Sequence, residues 1–367
     1  MQASSSAATS VDATAYKAME KLFKGGRPSP LTEEQLGSLI DVESPSTSRG
    51  DEVVLQQPAV DGCPAWLQAA KIYSVRGVDG FRLIRCPFSD EAQLRLVCTA
   101  LRQWIEPPAD TNLPTAAGPD TASPAHPYSQ LWERHQRDPV GSLLSKLAWA
   151  TVGYQYLWTE RRYDETKRCP LPDELGQLAS DLAAACGWSL RAEAAIFNLY
   201  GANSTMGGHR DDAEPCQSVP IVSISLGLDA VYLLGGPTKA VTPIAIRLRS
   251  GDVVVQGGAS RGFVHGVPRV LAGTLPRRLG CDAWESKREL LPFSRWLADN
   301  RLNLNVRQVH EEAVRTNRKR MKADAGLVGG NGAAVEHKHD EPPREESVTE
   351  SLHDESSEPR AERARYE

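Results

Sequence analysis

Apolar residues recur with two periods along this chain. Helical spacing prevails in the first half and strict alternation in the second. YKAMEKLFK brings Met19, Leu22 and Phe23 to one side of a short helix. LTEEQLGSLI predicts another, with Thr32 as N-cap and glutamates in its first turn. Residues 43–64 read as loop, and GFRLIRCPF (80–88) predicts the first strand. The segment 89–105 predicts a helix capped by Ser89 or Asp90, with Leu94, Val97, Cys98, Leu101 and Trp104 at helical spacing. Residues 106–128, rich in Pro, Ala and Thr, predict a loop. PDELGQLASDLAAACG (172–187) predicts a helix that Gly187 ends.

After this helix the period changes to two. AEAAIFNLY, VSISLG, AVYLLGG, IAIRLRSGDVVVQGG and RLNLNVRQV are short alternating segments separated by turn residues. Such strands predict an antiparallel jelly roll or barrel rather than a parallel α/β sheet. The expected fold is α+β, with flanking N-terminal helices. No repeat of 20–50 residues is present.

Composition sharpens the outline. The chain has 367 residues, of which 40% are hydrophobic, enough for a sizeable core. Twelve acidic and five basic residues follow position 322, a net of −7; the total of −5 leaves +2 on the first 322 residues. That balance argues against holding long duplex nucleic acid by bulk charge. The segment after 322 has Gly pairs and few large apolar residues, and disorder is expected there. RTNRKRMK before it reads as a helix extension, a solvated helix end or a nuclear import signal.

The seven cysteines are odd in number, and no two are three apart. Reduced thiols in an intracellular protein are expected, not a disulfide framework or a zinc ribbon. No apolar run approaches the ~20 residues of a membrane span. The expected compartment is nucleus and/or cytoplasm. The Ser/Ala/Thr-rich start leaves a mitochondrial address open.

Candidate chemistry begins at STMGGHRDDAEP. His209 and Asp211 lie two apart after a Gly pair. The pair alone admits three readings: two metal ligands, half of a catalytic dyad, or a polar turn. On an extended strand end both side chains share a face, while Arg210 and Asp212 point away. A 2-His-1-carboxylate iron site needs one more histidine from a neighbouring strand. Of the eight histidines, His265 in SRGFVHGVPR is the one among the later strands.

The strand NRLNLNVRQV adds weight. Alternation places Leu302, Leu304 and Val306 on one face and Arg301, Asn303, Asn305 and Arg307 on the other. Facing solvent, this is an ordinary half-buried strand. Facing the inside of a small barrel, the arginines are costly without an anion.

In combination these residues resemble the AlkB family of Fe(II)- and 2-oxoglutarate-dependent dioxygenases. Asn198 and Tyr200 match its Asn-x-Tyr, and His209, Asp211 and His265 match its iron ligands. Arg301-x-Asn303-x-Asn305-x-Arg307 matches its Arg-x-Asn-x-Thr-x-Arg strand, with Asn305 where Thr is usual. WATVGYQYLW, RAEAAIFNLY and SGDVVVQGGASRGFVHGVPRV are similar to the branch of animal AlkB homologue 1. The resemblance covers roughly residues 75–310 and implies three parts. These are an N-terminal extension with short helices (1–74), a dioxygenase domain with a double-stranded β-helix core (75–310), and a basic segment with an acidic tail (311–367).

The resemblance also implies roles. Fe(II), held by His209, Asp211 and His265, would use O2 and 2-oxoglutarate to oxidise a methyl group on a nucleobase. Arg301, helped by Tyr200 and Asn303, would bind the far carboxylate of the cosubstrate, and Asn198, Asn305 and Arg307 complete the set. The strand from Arg301 to Arg307 spans ~20 Å, more than the cosubstrate. Either both arginines lean inward, or Arg307 serves the metal end and the base. Implied substrates are 1-methyladenosine or 5-methylcytosine in tRNA, or N6-methyladenine in DNA, unpaired or flipped out. A monomer is the expectation.

Tyr154, Tyr156 and Trp158, with Arg161, Arg162, Lys167 and Arg168 in the charged segment that follows, read as a lid over the base. Alternate aromatics are equally what core packing produces, and charged loops are ordinarily solvated. Two rival functions stay open: the same chemistry on protein such as a histone, and a non-catalytic scaffold binding nucleic acid.

Overall fold

The computed structural model describes residues 14–24, 30–44, 52–59, 61–113 and 129–311. The first twelve residues, positions 114–128 of the Pro-rich segment, the basic run and the acidic tail lie outside the described residues.

Among the described residues, six α-helices precede or flank the strands: α1 (Thr14–Phe23), α2 (Glu33–Gly37), α3 (Asp90–Thr99), α4 (Leu131–Arg137), α5 (Asp173–Ala185) and α6 (Leu291–Leu297). Their limits follow local chemistry. The Thr32 side chain accepts from the Gln35 amide and the Gln35 side chain accepts from the Thr32 amide, closing a capping box on α2. Ser89 caps α3 by accepting from Ala92 N at 3.2 Å. Gly187, at φ +82°, follows the end of α5. No helix among the described residues is long and apolar enough to cross a membrane.

The strands are β1 (Leu39–Ile40), β2 (Val53–Gln56), β3 (Lys71–Val75), β4 (Phe81–Arg85), β5 (Asp110–Thr111), β6 (Trp149–Leu157), β7 (Arg162–Arg168), β8 (Ala194–Gly201), β9 (Met206–His209), β10 (Ile221–Gly227), β11 (Asp229–Leu234), β12 (Ile244–Leu248), β13 (Val253–Gln256), β14 (His265–Leu271) and β15 (Asn300–Arg307). They form two sheets. The smaller has the order β1-β12-β11-β14-β9. The larger runs β2-β3-β4-β13-β10-β15-β8-β6-β5, with β7 paired to β6. Strands β8 to β15 cross between the two sheets, giving the jelly roll that the alternating pattern predicts, in the double-stranded β-helix form that the family resemblance implies.

Burial follows the period of two. Leu302, Leu304 and Val306 are fully buried against the helices, beside Phe197 of β8 and Ile224 of β10. Each such side chain contributes roughly 1.5–3 kcal/mol. The other face of β15 therefore turns into the space between the sheets, where a second cluster includes Tyr200, Tyr232, Leu234 and Leu248.

Three expectations are corrected. GFRLIRCPF is not the first strand: β1, β2 and β3 precede it, and β2 lies inside the stretch read as loop. These strands gain their order from pairing, β2 to β3, β3 to β4, and β1 in parallel to β12. LTEEQLGSLI is not one helix, because α2 stops at Gly37 and Leu39–Ile40 join the smaller sheet. The charged segment after Trp158 is not a loop but β7, held by its ladder to β6.

Candidate active site

The two sheets enclose a cavity of about 770 Å³. His209 ends β9 and His265 begins β14, and the antiparallel ladder sets them opposite each other. Asp211 follows on the chain that leaves β9. One donor atom from each of these three residues lies within 4.8 Å of the other two. His209 Nε2 is 3.7 Å from Asp211 Oδ1, and His265 Nε2 is 3.7 Å from Asp211 Oδ2.

Tautomer and charge suit a divalent cation. His209 Nδ1 lies 3.0 Å from the Gly207 carbonyl, and His265 Nδ1 lies 3.1 Å from the Phe263 carbonyl. A carbonyl only accepts, so each Nδ1 carries a proton, and in the neutral ring Nε2 is the nitrogen left to ligate. Burial pushes His265 down to about 4, against the pull of Asp211, so the ring is neutral at neutral pH. Burial alone would raise Asp211. Arg307, the two histidines and Arg261 outweigh it and hold the carboxyl far below the ordinary range.

A buried ion network carries Asp211. Arg307 Nη2 donates to Asp211 Oδ2 at 3.2 Å, and its Nη1 donates to Glu214 Oε1 at 2.6 Å. Arg261 Nη2 donates to Glu214 Oε2 at 2.9 Å, and Nη1 of the same residue donates to the Asp211 carbonyl. Two carboxylates and two guanidinium groups balance before any metal enters. Asn305 Oδ1 accepts from Arg307 Nη2 at 2.6 Å and orients the fork.

At the other end of β15 the charge is unbalanced. Arg301 is 1% exposed. Its Nη2 donates to Ser225 Oγ at 2.7 Å and its Nη1 to the Leu228 carbonyl at 3.3 Å. Its Nε is buried with no hydrogen-bond partner, and among the described residues it forms no ion pair. Burial lowers its pKa, a cost that an anionic ligand relieves. Register places Arg301 opposite Tyr200 and Asn303 opposite Asn198. Burial raises the Tyr200 phenol to about 12, which keeps it a hydrogen-bond donor. Asn198 Nδ2 donates to Asn303 Oδ1 at 3.4 Å, and Asn303 Nδ2 donates to Ser223 Oγ at 2.8 Å. The four side chains and Asn305 line the same cavity as the His/Asp/His group.

The β6–β7 hairpin covers the mouth. Tyr156, Trp158 and Arg161 line the cavity. The Trp158 ring packs against Trp149 at 4.7 Å and edge-on to Tyr156 at 4.9 Å, yet is 44% exposed. Tyr154 and Arg162 lie outside the lining. Tyr154 is taken up instead by His310, edge-on at 4.7 Å, and by Arg168 above its ring at 4.6 Å. Asp212 is not the idle neighbour that alternation suggests. It lines the cavity, as Arg210 also does, and pairs with Arg161 at 3.3 Å and Arg210 at 3.4 Å, beyond the end of the β9 ladder at His209.

Sequence reading missed Glu214, Arg261, Ser225 and Tyr163, whose hydroxyl donates to Glu214 Oε1 at 2.8 Å. Glu214 and Arg261 each lie within five residues of a histidine of the group. Proximity in sequence was the one available signal, since neither belongs to a periodic segment.

The profile of the 2OG-Fe(II) oxygenase superfamily matches residues 98–307. The human nucleic acid dioxygenase ALKBH1 is 34% identical over 273 residues, 69% of this chain and 70% of that protein. The DNA N(6)-methyladenine demethylase ALKBH1A of Arabidopsis thaliana is 31% identical over 351 residues, 84% of this chain and the whole of that protein. The tRNA demethylase abh1 of Schizosaccharomyces pombe is 31% identical over 268 residues, 65% of this chain and 82% of that protein. With this breadth of match on a double-stranded β-helix, the chain belongs to the AlkB family of the 2OG-Fe(II) oxygenases, enzymes that use Fe(II), 2-oxoglutarate and O2.

Proposed function

We propose that this enzyme oxidises methyl groups on unpaired or flipped-out bases of nucleic acid. The observation that carries the reading is one cavity holding both the His/Asp/His group and a buried, partly unpaired arginine, under a hairpin bearing an exposed tryptophan. The relatives' names, which cite nucleic acid, DNA and tRNA, support this substrate class.

His209, Asp211 and His265 would hold Fe(II), and Arg301 with Tyr200 would hold the distal carboxylate of 2-oxoglutarate. When bound, the metal and cosubstrate supply oxidising power from O2, with release of succinate and CO2. Asn198 and Asn303, hydrogen-bonded to each other across β8 and β15, would help to orient the cosubstrate. Arg307 fixes the Asp211 carboxylate and keeps it ionised. Trp158 and Tyr156 offer ring faces on which a base can stack, and Arg161 with Arg210 suits backbone phosphates. A methyl group inside a duplex would not reach the cavity, so the base is presented unstacked. Hydroxylation of an N-methyl group gives a product that loses formaldehyde, which is demethylation. A C-methyl group keeps the hydroxyl.

The test is succinate release with Fe(II) and 2-oxoglutarate, run separately with methylated single-stranded RNA, methylated DNA and a methylated histone peptide. Stimulation by the peptide and by neither nucleic acid overturns the substrate reading. Wild-type turnover in His265→Ala overturns the ligand assignment. Mass spectrometry of nucleosides from cells lacking the protein identifies the base.

A further inference from the structure

Helix α1 covers the outer face of the smaller sheet, and one of its side chains reaches the strands that carry both histidines. Tyr16 is 1% exposed. Its ring lies on bare backbone at neighbouring points. A Cβ on Gly208 would lie 2.3 Å from Tyr16 Cε1, one on Gly266 would lie 3.0 Å from Tyr16 Oη, and one on Gly235 would lie 3.1 Å from Cδ2. Gly208 and Gly266 adjoin His209 and His265, which are register partners. Alternation sends the histidines into the cavity and these glycines outward to the ring.

Strand β9 needs such support. It has four residues, it ends the sheet, and its ladder to β14 shifts register between His265 and Val267. Among the described residues no strand pairs with its other edge, and α1 packs on its outer face. The amide of Tyr16 also donates to the Lys239 carbonyl at 3.1 Å, tying the helix start to the loop at the cavity mouth.

We propose that Tyr16 is a positioning residue for the metal centre: its ring, seated against Gly208 and Gly266, sets the separation of His209 and His265. The proposal rests on the reading of those histidines as metal ligands. Flat aromatic contact with glycine backbone fixes the distance between two strands more closely than a flexible side chain would. Metal donors tolerate only about 0.5 Å of misplacement.

The experiment titrates the metal-free full-length chain with Co(II) and follows its visible d–d absorption. Tyr16→Phe is expected to bind within about twofold of wild type, because the Tyr16 hydroxyl has no partner among the described residues. Tyr16→Ala is expected to bind about 10-fold or more weakly, with an altered band, as for loss of other groups that orient metal ligands. Phe23→Ala removes a fully buried ring from the same helix away from the histidines. Its Co(II) affinity should stay within about twofold of wild type.

Wild-type affinity and spectrum in Tyr16→Ala overturn the proposal, as does an equal loss in Phe23→Ala. If circular dichroism shows that Tyr16→Ala is unfolded, Gly208→Ala decides. Its Cβ displaces the ring, an about 10-fold loss is expected, and unchanged affinity overturns the proposal. Wild-type binding in His209→Ala would instead remove the ligand assignment beneath it. Loss in His209→Ala with full binding in Tyr16→Ala removes the Tyr16 role alone.

Discussion

Asp211 Oδ2 and Arg307 Nη2 lie 3.2 Å apart, so the carboxylate at the metal position is held by the strand that also carries Arg301. Arg307→Ala would leave Asp211 and Glu214 buried together with one guanidinium between them. The expected cost is about 3–5 kcal/mol in denaturant unfolding, with loss of Co(II) binding. Arg307→Lys keeps the charge but loses the fork, and intermediate values are expected. Wild-type unfolding in both variants would show that the network is not needed.

Arg301 and the Arg307 that holds Asp211 stand at opposite ends of β15, which predicts separable effects. Arg301→Gln should raise the KM for 2-oxoglutarate by about 100-fold, the scale of losing a charged hydrogen-bond pair. Co(II) affinity should stay near wild type. A parallel fall in metal affinity would contradict the division of labour along β15.

Trp158 is exposed beside the cavity, and Tyr154 is packed away from it. Trp158→Ala should raise the KM for a methylated single-stranded oligonucleotide by about 10-fold, in line with ~1–3 kcal/mol per stacked base. Slow turnover of 2-oxoglutarate without nucleic acid should not change. Tyr154→Ala should leave the oligonucleotide KM within about twofold. The reverse pattern would exclude Trp158 as the stacking platform.

Asp41, after β1, accepts from Arg249 at 2.6 Å on each oxygen, and Arg247 lies 3.6 Å away. Burial raises its pKa, but the Arg249 fork outweighs burial and holds the carboxyl below its ordinary value. The unfolded chain, with Asp near 3.9, therefore takes up a proton first on acidification. The pair's contribution is full above that value and is lost as pH falls through the folded one. Asp41→Asn should lose about 2 kcal/mol at pH 7. It should also fall less steeply than wild type between pH 5 and 3 in chemical denaturation. Parallel curves would show that Asp41 does not carry the acid sensitivity.

Much of the site was legible because strand chemistry is local. Alternation alone put Arg301, Asn303, Asn305 and Arg307 on one face, and the ladder to β8 matches them to Tyr200 and Asn198. His209 and Asp211 were visible as a pair with a reason for their spacing. Glu214 and Arg261 were not, because one lies in a loop and the other in a short 3-10 turn, and long-range ion pairs aim both side chains. Asp212 was assigned by an alternation that ends at His209. Tyr154 and Trp158 are indistinguishable by period, and only packing sends one to His310 and leaves the other at the mouth.

Residue type and a period of two were enough for the alternating jelly-roll strands and the polar face of β15, whereas the double-stranded β-helix and the ligand roles of His209, Asp211 and His265 followed from the family resemblance that those residues carry. Tertiary structure alone decided the extra N-terminal strands, the β7 hairpin, the ion network behind Asp211 and the seat of Tyr16 on three glycines. These depend on which distant backbones meet. A glycine records only that something comes close, and the partner, nearly two hundred residues away for Gly208, is chosen by the fold.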